Sequence, residues 1–100
     1  MEKRRVVITG LGAVTPLGLT MEDSWQAVRR GVCGIGPITQ YDASAQKVKL
    51  AAEVRGFEPE TYMSRTEAWH MGRFTQFAVA AAKQALESAA WRHLIRIAAA

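Results

Sequence analysis

An α/β fold with too few strands to finish a sheet is what this 100-residue sequence predicts, and three observations carry it. A β-branched run, Val6-Val7-Ile8-Thr9, feeds a glycine-rich loop. The stretch Lys47–Arg55 alternates apolar and charged side chains. Capped segments of helical period, the last rich in alanine, separate and follow those strands.

The elements follow in order. Lys3-Arg4-Arg5 is a basic start, and Val6 to Thr9 reads as a buried strand. The nine residues from Gly10 to Gly18 are a loop, because Pro16 and Gly18 break structure at its end. Thr20 caps a helix running to about Arg30. Its hydroxyl accepts from a backbone N–H one turn on, Asp23 stands where a capping-box carboxylate reaches back, and Glu22 favours the helix N-terminus. Met21, Trp25 and Val28 share one face, Arg29 and Arg30 suit the negative end, and Gly31 supplies the left-handed stop.

Gly31 to Pro37 is glycine-rich and reads as irregular. In Lys47–Arg55, Val48, Leu50, Ala52 and Val54 face one way while Lys47, Lys49, Glu53 and Arg55 face the other, a strand with one wet side ended by Gly56. Ser64 and Glu67 open a short helix that Gly72 interrupts. From Arg73 to about Ala90, Phe74, Phe77, Ala78, Ala81, Ala85 and Ala89 keep a helical period, widened by Val79, Ala82 and Leu86. A helix so apolar belongs between layers, where small side chains permit close approach. Leu94-Ile95-Arg96-Ile97-Ala98 reads as the opening of a further strand.

Composition narrows the class. With 49% hydrophobic and 22% charged residues the chain is globular, one domain at most, with no internal boundary. The basic start and Val6–Ile8 imitate a signal peptide, but Thr9, Gly10, Gly12, Thr15, Pro16 and Gly18 interrupt the apolar run. No stretch approaches the ~20 apolar residues of a spanning helix. A single cysteine, Cys33, makes no internal disulfide, and a cytoplasmic protein is expected. The net charge of +4 is scattered in small groups rather than a stripe. That pattern argues against nucleic acid and suits an acidic partner or an anionic ligand; no membrane partner is expected.

No catalytic constellation emerges. Gly10-x-Gly12-x-x-Thr15 after a strand is close to a dinucleotide fingerprint, but the third glycine is missing and the helix starts too late to meet a phosphate. A tight strand-exit loop is the simpler role. Cys33 follows a helix C-terminus, whose negative end disfavours a thiolate, and reads as a small semi-buried loop residue. One cysteine and the scattered His70 and His93 match no zinc pattern. Trp69-His70 beside Arg65 and Arg73 reads as a contact surface.

Taken in series, the same residues resemble the β-ketoacyl-acyl carrier protein synthase II family. The resemblance runs through Arg4-Arg5-Val6-Val7-Ile8-Thr9-Gly10-Leu11-Gly12-Ala13-Val14-Thr15-Pro16-Leu17-Gly18 and the helix containing Trp25. It continues in Gly34-Ile35-Gly36-Pro37-Ile38-Thr39, Tyr41-Asp42-Ala43-Ser44, Ala52-Glu53-Val54, Phe57-Glu58-Pro59-Glu60 and Arg73-Phe74-Thr75-Gln76-Phe77-Ala78. It covers roughly residues 3–89, with 90–100 divergent, so residues 1–100 are expected to be a partial N-terminal synthase domain.

The resemblance implies the N-terminal part of a thiolase-like, five-layer αβαβα fold, homodimeric and incomplete in this chain. It implies an acyltransferase that condenses an acyl thioester with malonyl-acyl carrier protein, without a cofactor. In the family a Cys and two His do this work beyond the position of residue 100, so these residues alone are expected to be inactive and, lacking sheet partners, to aggregate or stay molten. Some members meet acyl carrier protein near Arg65, Trp69, His70 and Arg73. Here Thr66, Trp69 and His70 stand where Lys or Arg is common, and Gly72 follows Met71 where Asp is usual. Ala90-Trp91-Arg92-His93 replaces a Gly-Leu turn, and Arg96-Ile97-Ala98-Ala99-Ala100 is similar to the beginning of the next family strand, so the sequence reads as a truncated product or partial record. A polyketide ketosynthase, a non-catalytic carrier-protein or synthase interaction module and a nucleotide-binding domain are the rivals.

Overall fold

The computed structural model describes residues 3–90, and the strand expected at 94–98 lies outside them. In order come helix α1 (Met21–Arg29), strands β1 (Ile35–Pro37) and β2 (Leu50–Ala52), a 3-10 turn (Pro59–Thr61), and helices α2 (Arg65–Trp69) and α3 (Arg73–Ser88).

Local chemistry sets the helix ends. The Thr20 hydroxyl accepts from the Asp23 N–H at 3.1 Å and opens α1. At the other end Gly31 takes φ +71°, Gly31 N–H donates to Val28 and Val32 N–H to Ala27, each at 3.0 Å, closing the carbonyls of the last turn. Ser64 caps α2 by accepting from Glu67 N–H at 3.1 Å. That helix closes at His70, its C-cap, and Gly72 is the N-cap of α3.

What α1 buries differs from the expected face. Ser24 and Ala27 are buried, whereas Trp25 and Val28 are exposed. Ser24 is drawn inward because its Oγ lies 2.7 Å from Thr15 Oγ1 and donates to Gly18 O at 3.2 Å. Thr15 in turn accepts from the N–H groups of Leu17 and Gly18. The Thr15–Gly18 turn is thereby fastened to α1, and the Met21–Trp25–Val28 stripe keeps only Met21 half-buried.

The strands correct the sequence reading most. Lys3 to Val14 runs without turn or bend and pairs with no strand among the described residues, leaving Val6, Val7 and Ile8 exposed by 92%, 70% and 81%. A β-branched run becomes a strand only when another backbone meets its N–H and C=O groups, and none does here. Conversely, Ile35–Pro37, expected to be irregular, pairs antiparallel with β2 in the register Ile35↔Ala52, Gly36↔Ala51, Pro37↔Leu50. Ile38 N–H to Lys49 O extends the ladder by one bond. The expected nine-residue strand shortens to three, its Val48 and Leu50 face open and its Glu53 tucked in.

The small core gathers Ala27, Ala43, Phe57, Met63 and Ala80. Phe57 packs edge-on against Phe77 of α3 at 5.0 Å between centroids and stacks on Tyr62 at 6.1 Å. The long helix is therefore covered on one side only. Gln76 and Ala80 are buried, while Phe74, Ala78, Ala82 and Leu86 remain exposed where a second layer was expected.

Candidate functional site

The Gly10–Gly12 segment lies against α3 at backbone distance. A Cβ on Gly10 would meet Ala85 O and the Ala89 backbone N, and one on Gly12 would meet Ala81 O and the Ala85 backbone N. Ala81, Ala85 and Ala89 recur every four residues and form the flat stripe that admits this approach. The two glycines thus face a helix and leave no space for a phosphate, which removes the nucleotide reading.

Gln84, on the same face, completes the attachment, and nothing in the local sequence announces it. Its Oε1 accepts from Ala13 N–H at 3.2 Å and from Met21 N–H at 3.3 Å. Its Nε2 donates to Leu19 O at 2.8 Å and to Tyr62 Oη at 3.1 Å. One side chain therefore holds the loop before α1, the first N–H of α1, and the turn before α2. Lys83 adds a bond to Tyr62 O.

The four predicted contact residues sit at the joint of α2 and α3. Arg65 and Trp69 are four apart and share a face of α2, and His70 follows at its C-cap. Trp69 is 86% exposed and Phe74 is 80% exposed. The Phe74 ring folds back over Gly72, where a Cβ would stand 3.1 Å from Cε1. Arg65 comes only within 4.0 Å of Glu60 in open solvent, an ion pair of little worth.

Arg73 is placed differently. Its guanidinium lies 5.0 Å from the Phe57 centroid and 5.4 Å from that of Phe77, and it donates to Gln76 Oε1 at 3.1 Å. Buried Gln76 passes the connection on by donating to Ala68 O at 2.9 Å. Gln76 therefore ties α3 to α2 with Arg73 bracing it, and Arg65, Trp69 and His70 form the free surface. An exposed indole beside a guanidinium can anchor a partner; it has no means to break a bond.

Cys33 is exposed rather than semi-buried, because the turn after α1 stands clear of the core; its Sγ donates weakly to Ile35 O at 3.9 Å. His70 is the histidine within the described residues, and the hydrogen bond that Cys33 makes goes to Ile35 O, not to it. Among these residues no three His, Cys, Asp or Glu side chains are grouped to hold a metal, and no helix is long and apolar enough to cross a membrane.

Glu53 is a second residue the sequence hid. Its side chain, 8% exposed, accepts from Thr39 N–H, Thr39 Oγ1 and Gln40 N–H at 2.9–3.3 Å, with Arg55 at 3.9 Å. Burial pulls its carboxyl upward. The bonds from Thr39 and Gln40, helped by Arg55, outweigh that and hold it below the usual carboxylate range. A strand residue assigned to the wet side is thus the clamp on the loop after β1.

With this geometry in hand, the relatives are informative. The family described as β-ketoacyl synthase, N-terminal domain, matches residues 3–94. The 3-oxoacyl-[acyl-carrier-protein] synthase 2 of Synechocystis sp. is 49% identical over 89 residues, covering 89% of this chain and 21% of its own length. The protein of that name from Coxiella burnetii is 49% identical over 87 residues, covering 87% and 21%. Among solved structures, the ishigamide ketosynthase/chain length factor superposes with a TM-score of 0.81 at 37% identity, covering 89% of this chain and 22% of that one. The sequence thus spans about a fifth of the length of these relatives, and the fold is that of the ketosynthase N-terminal region, thiolase-like, with helices and one small sheet.

Proposed function

Because this chain belongs to the β-ketoacyl synthase family through its N-terminal domain, we propose that it is the N-terminal part of a 3-oxoacyl-[acyl-carrier-protein] synthase of fatty acid elongation. The observation that carries this reading is the 49% identity to two 3-oxoacyl-[acyl-carrier-protein] synthases 2, sustained over 87–89 residues.

In the complete enzyme an acyl group passes from its carrier thioester to a cysteine thiol, releasing the carrier. Malonyl-acyl carrier protein then loses carbon dioxide, and the resulting carbanion attacks the cysteine thioester. The carbon–carbon bond forms, the carbon–sulfur bond breaks, and the cysteine is freed. That cysteine and two histidines belong to polypeptide beyond residue 100; covalent and acid–base catalysis need such groups within hydrogen-bond reach of one another. The present residues supply architecture: part of a five-layer αβαβα fold, in a cytoplasmic homodimer. Arg65, Trp69 and His70, braced by Arg73, supply a contact for the acidic carrier protein.

A chimera tests this. Residues 3–90 replace the matching region of the Synechocystis synthase, and the purified dimer is assayed with acyl- and malonyl-acyl carrier protein. Condensation is expected from the chimera and none from residues 1–100 alone. A folded, dimeric chimera that does not condense overturns the proposal. The TM-score of 0.81 to the ishigamide ketosynthase/chain length factor supports a second reading, a polyketide ketosynthase. The adjoining coding DNA separates the two.

The same chimera reports on Glu53. A carboxyl with a lowered folded-state pKa contributes stability that is present above its unfolded pKa and lost as pH falls through the folded one. Amide exchange at Thr39 and Gln40 should therefore accelerate as pH drops below the ordinary 4.5, beyond the intrinsic trend. In Glu53→Gln the acceleration should vanish and exchange should already be fast at neutral pH. An unchanged profile in the variant would show that the clamp is not the carboxylate.

A further inference from the structure

We propose that Gln76 is the positioning residue of the carrier-protein contact, setting the direction in which Trp69 leaves α2. This rests on the reading above, in which Arg65, Trp69 and His70 meet an acidic carrier protein.

Helix α2 cannot place itself. Its five residues are too few to hold a helix alone, and none of them is buried, so no apolar side chain of its own pins it to the core. The N-terminal end is held locally by the Ser64 hydroxyl. The C-terminal end is held from α3, where Gln76 Nε2 donates to Ala68 O at 2.9 Å. Among the described residues no other hydrogen bond joins the two helices. Ala68 O belongs to the peptide group that carries the Trp69 nitrogen, and that group is planar. The bond from Gln76 therefore fixes the plane from which the exposed indole departs.

An amide is what this place demands. The Arg73 guanidinium only donates and Ala68 O only accepts, so the side chain between them must accept on one side and donate on the other. A carboxylate, an ammonium or an apolar chain meets one demand or neither. Gln76 Oε1 accepts from Arg73 at 3.1 Å, which leaves Nε2 turned toward α2. Arg73 is itself held over the Phe57 and Phe77 rings. Orientation thus passes from the aromatic core to the guanidinium, from there to the amide, and from the amide to Trp69. Gln76 is buried and meets no partner itself, so it acts only through Trp69. A buried amide satisfied at both ends specifies one arrangement of its surroundings while adding little net stability.

The test measures, in the chimera, calorimetric binding of acyl carrier protein and condensation with carrier-bound and carrier-free thioesters. Gln76→Leu keeps the volume and loses both bonds, whereas Gln76→Glu keeps an acceptor for Arg73 and loses the donor to Ala68 O. In each, Kd for the carrier protein and KM for its thioesters are expected to rise about tenfold. Both kcat and the carrier-free kcat/KM should stay within about twofold of the parent, a split that a merely structural role would not produce. Trp69→Ala, at an exposed position, should weaken docking at least as much, and Gln76→Leu should add nothing in its background. Normal docking by both Gln76 variants, normal docking by Trp69→Ala, or additive losses in the double variant would each overturn the inference. So would failure of both Gln76 variants to fold, since a residue the fold requires is not one that only aims α2. The expected pattern of binding in a chimera that does not condense leaves the positioning role standing and counts against the proposed activity. Condensation with Kd unmoved by either Gln76 variant does the reverse.

Discussion

Gly12→Ala is expected to cost the folded chimera about 3 kcal/mol, at the upper end of overpacking penalties, and to lower its thermal midpoint by several degrees. The new methyl would overlap Ala81 O and lie 2.8 Å from both the Ala85 backbone N and Gln84 Cβ. Two of these atoms belong to helix backbone, so no rotamer change clears them. The segment must lift from α3, and the bonds that Gln84 makes to Ala13 and Met21 go with it. Gly10→Ala should cost nearly as much, because Ala85 O and the Ala89 backbone N, the latter at 2.6 Å, obstruct it. Gly31→Ala is the contrast. It has φ +71° but no atom within 4 Å, so only the backbone penalty of about 1 kcal/mol applies. Removing a side chain opposite, as in Ala85→Gly, should not rescue Gly12→Ala, since the obstruction is carbonyl and amide. If Gly12→Ala and Gly31→Ala proved equally mild, the close approach of segment and helix would be refuted.

The contrast between these glycines also explains what the sequence reveals. Gly31, Thr20 and Ser64 act on neighbours within a few residues, so their roles as helix stop and helix caps are legible from spacing alone. Gly10 and Gly12 act on residues some seventy positions away. The sequence shows that the loop is tight and that the last helix is rich in alanine, but not that one rests on the other. Strands suffer most, because pairing is a property of two segments. Val6–Thr9 has every strand propensity and no partner among the described residues, whereas Gly36 and Pro37 have poor propensity and form a ladder because Leu50–Ala52 lies alongside. The contact surface shows the same division. Arg65, Trp69 and His70 are exposed as their composition suggests, but Arg73 is claimed by Phe57, Phe77 and Gln76, partners that only the fold brings near.

Gln84 is where a long-range role can be isolated by substitution, and Gln84→Leu is expected to destabilise the chimera by about 3 kcal/mol. The leucine keeps the volume but strands the N–H groups of Ala13 and Met21, the carbonyl of Leu19 and the hydroxyl of Tyr62, at about 1 kcal/mol for each half-buried group, less what water recovers. Gln84→Glu separates the four. A carboxylate still accepts from Ala13 and Met21, the latter at the favourable N-terminus of α1, and the Tyr62 hydroxyl can turn to donate to it. The carbonyl of Leu19 alone then faces an oxygen where it had a donor. Gln84→Glu should therefore fall between wild type and Gln84→Leu at neutral pH, at about 1–2 kcal/mol. It should recover stability as the pH is lowered toward protonation of the new carboxyl, since the acid regains a donor for Leu19 O. Denaturant midpoints at pH 7 and pH 5 for the three proteins check the order. If Gln84→Leu lost less than about 1 kcal/mol, the Ala13–Met21 loop would have to be held by the glycine–alanine contact alone.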